Sequence, residues 1–352
     1  MHLLCRRFAI NLNKMGVSRI IKLLNINGDE NMNWLEVTIY TSKQGIETIT
    51  GILMQMGVTG FVIEDPDDFE EFLTYRGKTW DYMDVTMEDM KNVETNIKFY
   101  LAENSQGQET FIEIKNMIAR LKEENVDYGS LRLELGNVKE EDWANNWKQY
   151  FKPFTVGEKF VIKPTWEQYD ETTDRHILEI DPNSSFGTGQ HYTTQLCIEQ
   201  LESIVTPSCE VLDMGCGSGI LSIAALMLGA HHVTAVDIDQ NSVNIACENF
   251  EQNKMDKSRY TTYCGNVMAD EALENQIGHG KYDIVVANIV ADVIIGMKHE
   301  LRSFLKEDGK LIASGIINDR AEEVKGHLEE VGFEVDTITE KNDWVAILAH
   351  IK

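Results

Sequence analysis

Residues 211–219 read VLDMGCGSG. An apolar run ends in an acid, and glycines follow at 215, 217 and 219. This is how a buried strand turns tightly into a helix whose first N–H groups face a ligand. A dinucleotide, a nucleotide phosphate and a methyl donor all suit such a turn. The dinucleotide pattern G-x-G-x-x-G, begun at Gly215, needs a glycine at position 220, where Ile220 stands. A P-loop needs lysine and a hydroxyl residue after its glycines, and no lysine follows. The two phosphate readings weaken together.

Outward from the loop, apolar strands alternate with helices. The strands are EVLDM (210–214), HVTAVDI (232–238), TTYCGN (261–266), YDIVVANI (282–289) and KLIASGI (310–316). Helices are expected over 219–228, 240–253, near 291–305 and over 319–331. Continuous apolar runs of this length mark buried parallel strands in a doubly wound α/β sheet. The end departs from the plain dinucleotide fold. FEVDTITEKN (333–342) and DWVAILAHI (343–351) are adjacent strands with no helix between them. A parallel sheet closed by such a hairpin resembles the Rossmann-like, seven-stranded fold of methyltransferases that use S-adenosylmethionine. That donor brings an amino-acid tail to the glycine turn, where Asp213 can face its ammonium, directly or through water. Asp237, about twenty residues on, stands where a carboxylate can accept from two ribose hydroxyls. Ile238 can pack on adenine, and Asn266, ending the third strand, can meet the base edge. Each of these residues also has a purely structural use, such as a helix cap; their order along one fold is what carries the reading.

The first half of the chain is organised differently. WLEVTIYT (34–41) alternates as a strand, and 43–56 places Ile46, Ile49, Leu53 and Met56 at helical spacing, stopped by Gly57. VTGFVIED (58–65) and ETNIKFYLAE (94–103) read as strands, and 108–125 as a helix with Phe111, Ile114, Ile118 and Leu121 on one stripe. SLRLEL (130–135) alternates again. Strand, helix, strand, repeated once, is a split βαβ, ferredoxin-like α+β arrangement. Residues 140–166 form a connector that starts helical and loses its helix at Pro153; Trp143 and Trp147 share one helix face, most simply for packing.

Composition narrows the function. The 352 residues are long enough for two domains, and 43% hydrophobic content with five prolines describes a folded chain. A net charge of −26 repels a phosphate backbone and draws a basic partner, although an acidic surface also serves solubility alone. The six cysteines form no C-x-x-C pair, and no metal site is expected. No stretch reaches the length of a membrane span. The apolar run near the start is broken by Asn11, Asn13 and Lys14, with no cleavage site after it, so no signal peptide is read and the cytoplasm is the expected compartment.

Two further stretches sharpen the picture. DPNSSFGTGQHYTTQLCIEQLE (181–202) precedes the first strand, and NIVAD (288–292) closes the fourth. With MGCGSGILSIAALMLGA, VDID, EEDWANNWKQYFKP and IKPTW, they closely resemble the ribosomal protein L11 methyltransferases, the PrmA family. The resemblance covers most of the chain. It implies a substrate-recognition domain (33–139), a linker (140–183) and a methyltransferase domain (184–352), with residues 1–31 as an extension and Met32 as a candidate start. It implies methylation of amines of a large-subunit ribosomal protein; the net charge favours a basic protein partner over nucleic acid, and a monomer is expected. Carried over by motif, the donor contacts are Thr194, Gly215, Gly217, Asp237 and Asn288, and the FGTG segment Phe186-Gly187-Thr188-Gly189 borders the donor. Just before that segment, Asn183, Ser184 and Ser185 depart from the Gly-Met-Ala common in the family.

Asn288 is the expected catalytic residue. Its carbonyl oxygen can accept from an amine and orient it. Relatives acting on planar amides or bases carry [DN]-P-P-[YF], whose aromatic residue stacks on the target. Here Asn-Ile-Val-Ala lacks that platform, which favours a flexible aliphatic amine. Asn288 can equally cap the helix that follows, the threonine pair can cap a helix starting near 194, and His191 is either a base or a local shaper of its loop. The alternatives to a protein substrate are a small molecule or RNA, and a donor-binding module without catalysis.

Overall fold

The computed structural model describes residues 34–58, 60–65, 94–124, 126–136, 151–169, 172–181 and 187–352. The extension 1–31, Trp143, Trp147 and Phe186 lie outside the described residues. The chain divides into two compact units, Met1–Lys148 and Gln149–Lys352.

In the first unit the elements are β1 (Trp34–Tyr40), α1 (Lys43–Gln55), β2 (Phe61–Glu64), β3 (Asn96–Ala102), α2 (Ser105–Glu123) and β4 (Leu133–Leu135). The sheet order is β2-β3-β1-β4, antiparallel throughout. Alternation sends Leu35, Val37 and Ile39 of β1, with Ile97, Phe99 and Leu101 of β3, onto one face. There they bury against Ile49 and Leu53 of α1 and the Phe111, Ile114, Ile118, Leu121 stripe of α2. Helix α2 starts at 105 rather than 108 because the Asn104 side chain accepts from Gly107 N at 2.9 Å, capping it three residues earlier. Only 133–135 of SLRLEL pair; Leu131, at φ 46°, turns out of the extended region just before them.

In the second unit β5 (Phe154–Val156), β6 (Phe160–Pro164) and β7 (His176–Ile180) make a three-stranded sheet, so much of the stretch expected as a linker is structured. Then follow α3 (Tyr192–Ile204), β8 (Glu210–Met214), α4 (Ile220–Met227), β9 (His232–Asp237), α5 (Gln240–Gln252), β10 (Tyr260–Cys264), α6 (Glu271–Ile277) and β11 (Tyr282–Asn288). The last elements are α7 (Ala291–Gly296), α8 (Lys298–Phe304), β12 (Leu305–Ile317), α9 (Ala321–Glu330), β13 (Phe333–Lys341) and β14 (Trp344–Ile351). The helix expected near 291–305 is broken into two at Met297.

The large sheet runs β10-β9-β8-β11-β12-β14-β13. Its first five strands are parallel, and β14 pairs antiparallel with both β12 and β13. The hairpin turns on Asn342 and Asp343, both at positive φ (52° and 68°), the backbone of a tight two-residue turn. From β8 the strand order runs one way through β9 to β10 and the other way through β11 to β12. The crevice past the carboxyl ends of β8 and β11 is therefore the switch point where such sheets bind ligands. Val211 and Leu212 of β8 and Val285 to Ala287 of β11 are fully buried, giving that crevice a rigid floor.

Candidate active site

The glycine loop leaves β8 and immediately folds back on β9. Gly215 N and Cys216 N both donate to Val236 O, at 2.8 and 3.0 Å. Gly215 has φ 77°, and a Cβ there would stand 2.4 Å from Ile289 Cγ2. Only glycine lets the loop pass this close to the end of β11. Gly219, at φ 79°, is the N-cap of α4 and uses no side chain for it.

Asp237 ends β9 and is nearly buried. Its Oδ2 accepts from Gly217 N and its Oδ1 from Asp239 N, both at 2.9 Å. The next residue, Ile238, is 54% exposed at the end of an otherwise buried strand. Asn266 does not end a strand as expected, because β10 stops at Cys264. Its Oδ1 accepts from Met268 N at 3.1 Å and its main-chain oxygen from Ala269 and Asp270 N, so it shapes the turn beyond β10.

Asp213 is buried under the loop. Its Oδ2 accepts from Ser222 N at 3.0 Å and Ser222 Oγ at 2.6 Å, while Oδ1 is buried with no partner among the described residues. Burial pushes its carboxyl up to about 7 against the pull of the Ser222 bonds, and the charge of Asp237 adds to the rise.

The described part of the FGTG segment lies against the same loop. Gly187 O accepts from Ser218 Oγ at 2.7 Å, and Thr188 is buried, its Oγ1 accepting from Gln190 N at 3.2 Å. Helix α3 begins at 192 and is capped by His191, not by the threonine pair: His191 Nδ1 accepts from Thr193 N at 3.4 Å and lies 2.7 Å from Thr193 Oγ1. The ring meets Trp344 edge-on, centroids 4.7 Å apart, and burial pushes its pKa down to about 4. His191 thus shapes its loop as a neutral ring.

Thr194, fully buried in the first turn of α3, accepts from Asn288 Nδ2 at 3.3 Å. That bond fixes the amide's orientation. Asn288 Oδ1 is buried and has no partner among the described residues. Asn288 does not cap the next helix: Val290 is the N-cap of α7, without a side-chain bond. Asn288, Asp213, Asp237 and the loop glycines therefore stand at the carboxyl ends of neighbouring strands, with Asn288 bonded to Thr194, Asp213 to Ser222 and Asp237 to Gly217. Sequence reasoning missed Ser218, Ser222 and Asn249, which hold its walls. Their signal is spacing: Ser218 and Ser222 lie four apart where the loop enters α4.

Comparison with known proteins agrees with this geometry. The family model described as "Ribosomal protein L11 methyltransferase (PrmA)" matches residues 33–352. The chain belongs to this family. It is 42% identical over 322 residues to the ribosomal protein L11 methyltransferase of Thermoanaerobacter pseudethanolicus, covering 91% of this chain and 100% of that one. It is 40% identical over 321 residues to that of Alkaliphilus oremlandii, covering 91% and 99%. The crystal structure of the ribosomal protein L11 methylase from Lactobacillus delbrueckii subsp. bulgaricus superimposes with a TM-score of 0.52 at 32% identity, over 57% of this chain and 100% of that chain. S-adenosylmethionine, the family's methyl donor, fits the residues present. Beside the glycine turn lies a buried carboxylate oxygen, Asp213 Oδ1, with no partner among the described residues, and a second carboxylate, Asp237, sits one strand away.

Proposed function

We propose that the protein transfers methyl groups from S-adenosylmethionine to primary amines, lysine side chains or an N-terminal amine or both, of ribosomal protein L11. The observation carrying this is the Oδ1 of half-buried Asn288, an atom shielded from solvent and without a partner among the described residues, on an amide held by the Asn288–Thr194 bond. When bound, S-adenosylmethionine supplies a sulfonium-activated methyl group, leaving as S-adenosylhomocysteine. Asp237 accepts from the ribose, Asp213 faces the ammonium, and Gly215 and Gly217 admit the donor's tail to the backbone. Ile238 would cover the adenine, Asn266 would meet the base edge, and the FGTG segment, with Gly187 and Thr188 among its described residues, would border the donor.

Attack on a methyl group needs a nitrogen lone pair. A lysine of pKa near 10.4 is neutral to only about 10⁻³ to 10⁻⁴ at neutral pH. A neutral acceptor oxygen at Asn288 orients the amine without stabilising its cation, whereas a carboxylate would hold it protonated. Catalysis is then chiefly placement of two reactants.

The remaining assignments belong to the same reading. Residues 33–139 serve as a ferredoxin-like substrate-recognition domain, and 140–183 join it to the methyltransferase domain. The net charge of −26 speeds encounter with a basic substrate. The enzyme acts as a cytoplasmic monomer. No helix among the described residues is long and apolar enough to cross a membrane.

The test is transfer of labelled methyl from S-adenosylmethionine to purified large ribosomal subunits and their separated proteins. Label on the L11 band is expected. Label confined to ribosomal RNA, or none on any protein, overturns the proposal.

A further inference from the structure

Helix α5 carries two asparagines four residues apart, Asn249 in its last turn and Asn253 at its C-cap. Four helical residues rise about 6 Å, close to the roughly 6.6 Å spanned by two residues of a strand. Two side chains on one helix face can therefore grip alternate residues of a strand edge. They do so here. Asn253 Oδ1 accepts from Glu179 N at 2.9 Å and its Nδ2 donates to Glu179 O at 2.7 Å. Asn249 Oδ1 accepts from Asp181 N at 3.0 Å and its Nδ2 donates to Asp181 O at 3.3 Å. Each amide imitates a backbone partner and gives the edge of β7 a neighbour that no strand supplies. The Gln252–Glu179 bond (2.8 Å) and the Lys163–Glu179 ion pair (2.8 Å) reinforce the grip.

Asn249 has a second attachment. Its Nδ2 also donates to Ser218 O, in the glycine loop, at 2.9 Å. Ser218 Oγ, on the same residue, donates to Gly187 O. Asp181, through Asn249, and Gly187 are thereby both tied to Ser218. Asn249 is 2% exposed and Ser218 fully buried, so water does not compete for these bonds.

We infer that Asn249, supported by Asn253, is a positioning residue for donor binding: it brackets the Asp181 and Gly187 ends against the glycine loop, so that the two walls of the donor crevice are set before the donor arrives. The inference rests on the methyl-donor reading given above. None of these asparagine atoms needs to touch the donor. A preset pocket spares the ordering cost that a loose one pays on binding.

The experiment is calorimetric titration of the full chain with S-adenosylmethionine and with S-adenosylhomocysteine, with thermal unfolding and steady-state kinetics alongside. Asn249→Ala is expected to weaken both ligands about 10-fold and raise the KM for the donor alike. The kcat at saturating donor and the KM for the protein substrate stay within about threefold. Asn249→Asp keeps the size but turns an oxygen toward Ser218 O, and is expected to bind no better than Asn249→Ala. Ser218→Ala, a smaller change that preserves folding, cuts only the Gly187 branch and weakens the donor about fivefold. Because both branches serve one bracket, the double variant loses little beyond the worse single. Folded variants with unaltered donor affinity, or a double variant whose loss is the product of the two, overturn the bracket alone. If the unaltered chain binds neither ligand, the methyl-donor reading falls and the bracket with it.

Discussion

Replacing Gly315 by alanine tests how rigidly Asn288, proposed to orient the amine, is held. Gly315 sits in β12 at φ 84°, where the pairing with β14 shifts register between Ser314 and Ile316. A Cβ there would stand 2.4 Å from Ile289 O, 2.7 Å from its carbonyl carbon and 3.0 Å from its nitrogen. These are backbone atoms, and Ile289 N is itself bonded to Ser314 O at 3.1 Å. The left-handed conformation costs alanine about 1–2 kcal/mol. Overpacking against backbone adds about 1–3 kcal/mol. Stability should fall by about 2–5 kcal/mol. To reach ordinary contact, the Ile289 peptide must also retreat by about 1 Å, and it drags the adjoining Asn288 with it. Misplacement on that scale can cost on the order of 10²-fold in rate. Gly229 is the control: its φ is 104°, but a Cβ there meets nothing within 4 Å. Gly229→Ala should lose stability of about 1–2 kcal/mol and keep its kcat. The assay is kcat at saturating donor, at a temperature where circular dichroism shows both variants folded. Wild-type kcat in Gly315→Ala, or an equal loss in both variants, refutes the reasoning.

Three other outcomes are expected. Asn288→Asp should lower kcat at neutral pH by about 10²-fold, move the activity optimum to higher pH, and leave donor affinity within about threefold by calorimetry. An unshifted optimum would count against amine orientation by a neutral acceptor. Asp213 has its pKa raised by burial to about 7. Its stabilising contribution is therefore complete below its ordinary value near 3.9 and lost as pH rises through about 7. The melting temperature of the wild type relative to Asp213→Asn should accordingly fall between pH 5 and 8 without donor, and a flat difference would sink this. His191 runs the other way: with its pKa lowered to about 4, its contribution is present above about 6.5 and lost as pH falls through 4. Its ring resonances should show no titration between pH 5 and 8, and a midpoint near 6.5 would refute the buried, neutral cap.

Where the chemistry of the site depends on residue type at a strand end, the sequence was readable. Asp237, Gly215 and Asn288 stand at the carboxyl edge because period and apolar runs place the ends of β8, β9 and β11 to within a residue or two. The hairpin followed from the absence of a helix between 333 and 351. What escaped was tertiary. Nothing local says that His191 rather than a threonine caps α3, since the cap depends on Trp344 arriving from β14 to bury the ring. Asn288 as a helix cap was plausible until Ile289–Val290 proved extended enough to delay α7 to 291. The three-stranded sheet inside 154–180 was hidden because its strands are three to five residues long. Asn249 and Asn253 read as ordinary helix-end residues; only the strand edge across from them gives them a task.

The position of β14 between β12 and β13 has a consequence for synthesis. Translation delivers β13 before β14, yet β13 is an edge strand whose sole neighbour in the sheet is β14. On emerging it has nothing to join. The nine-residue strand enters the sheet only through β14, which the tight Asn342–Asp343 turn returns alongside it and against β12. The sheet is therefore complete only with the last strand in place, and the contact of Trp344 with the His191 ring depends on that same strand.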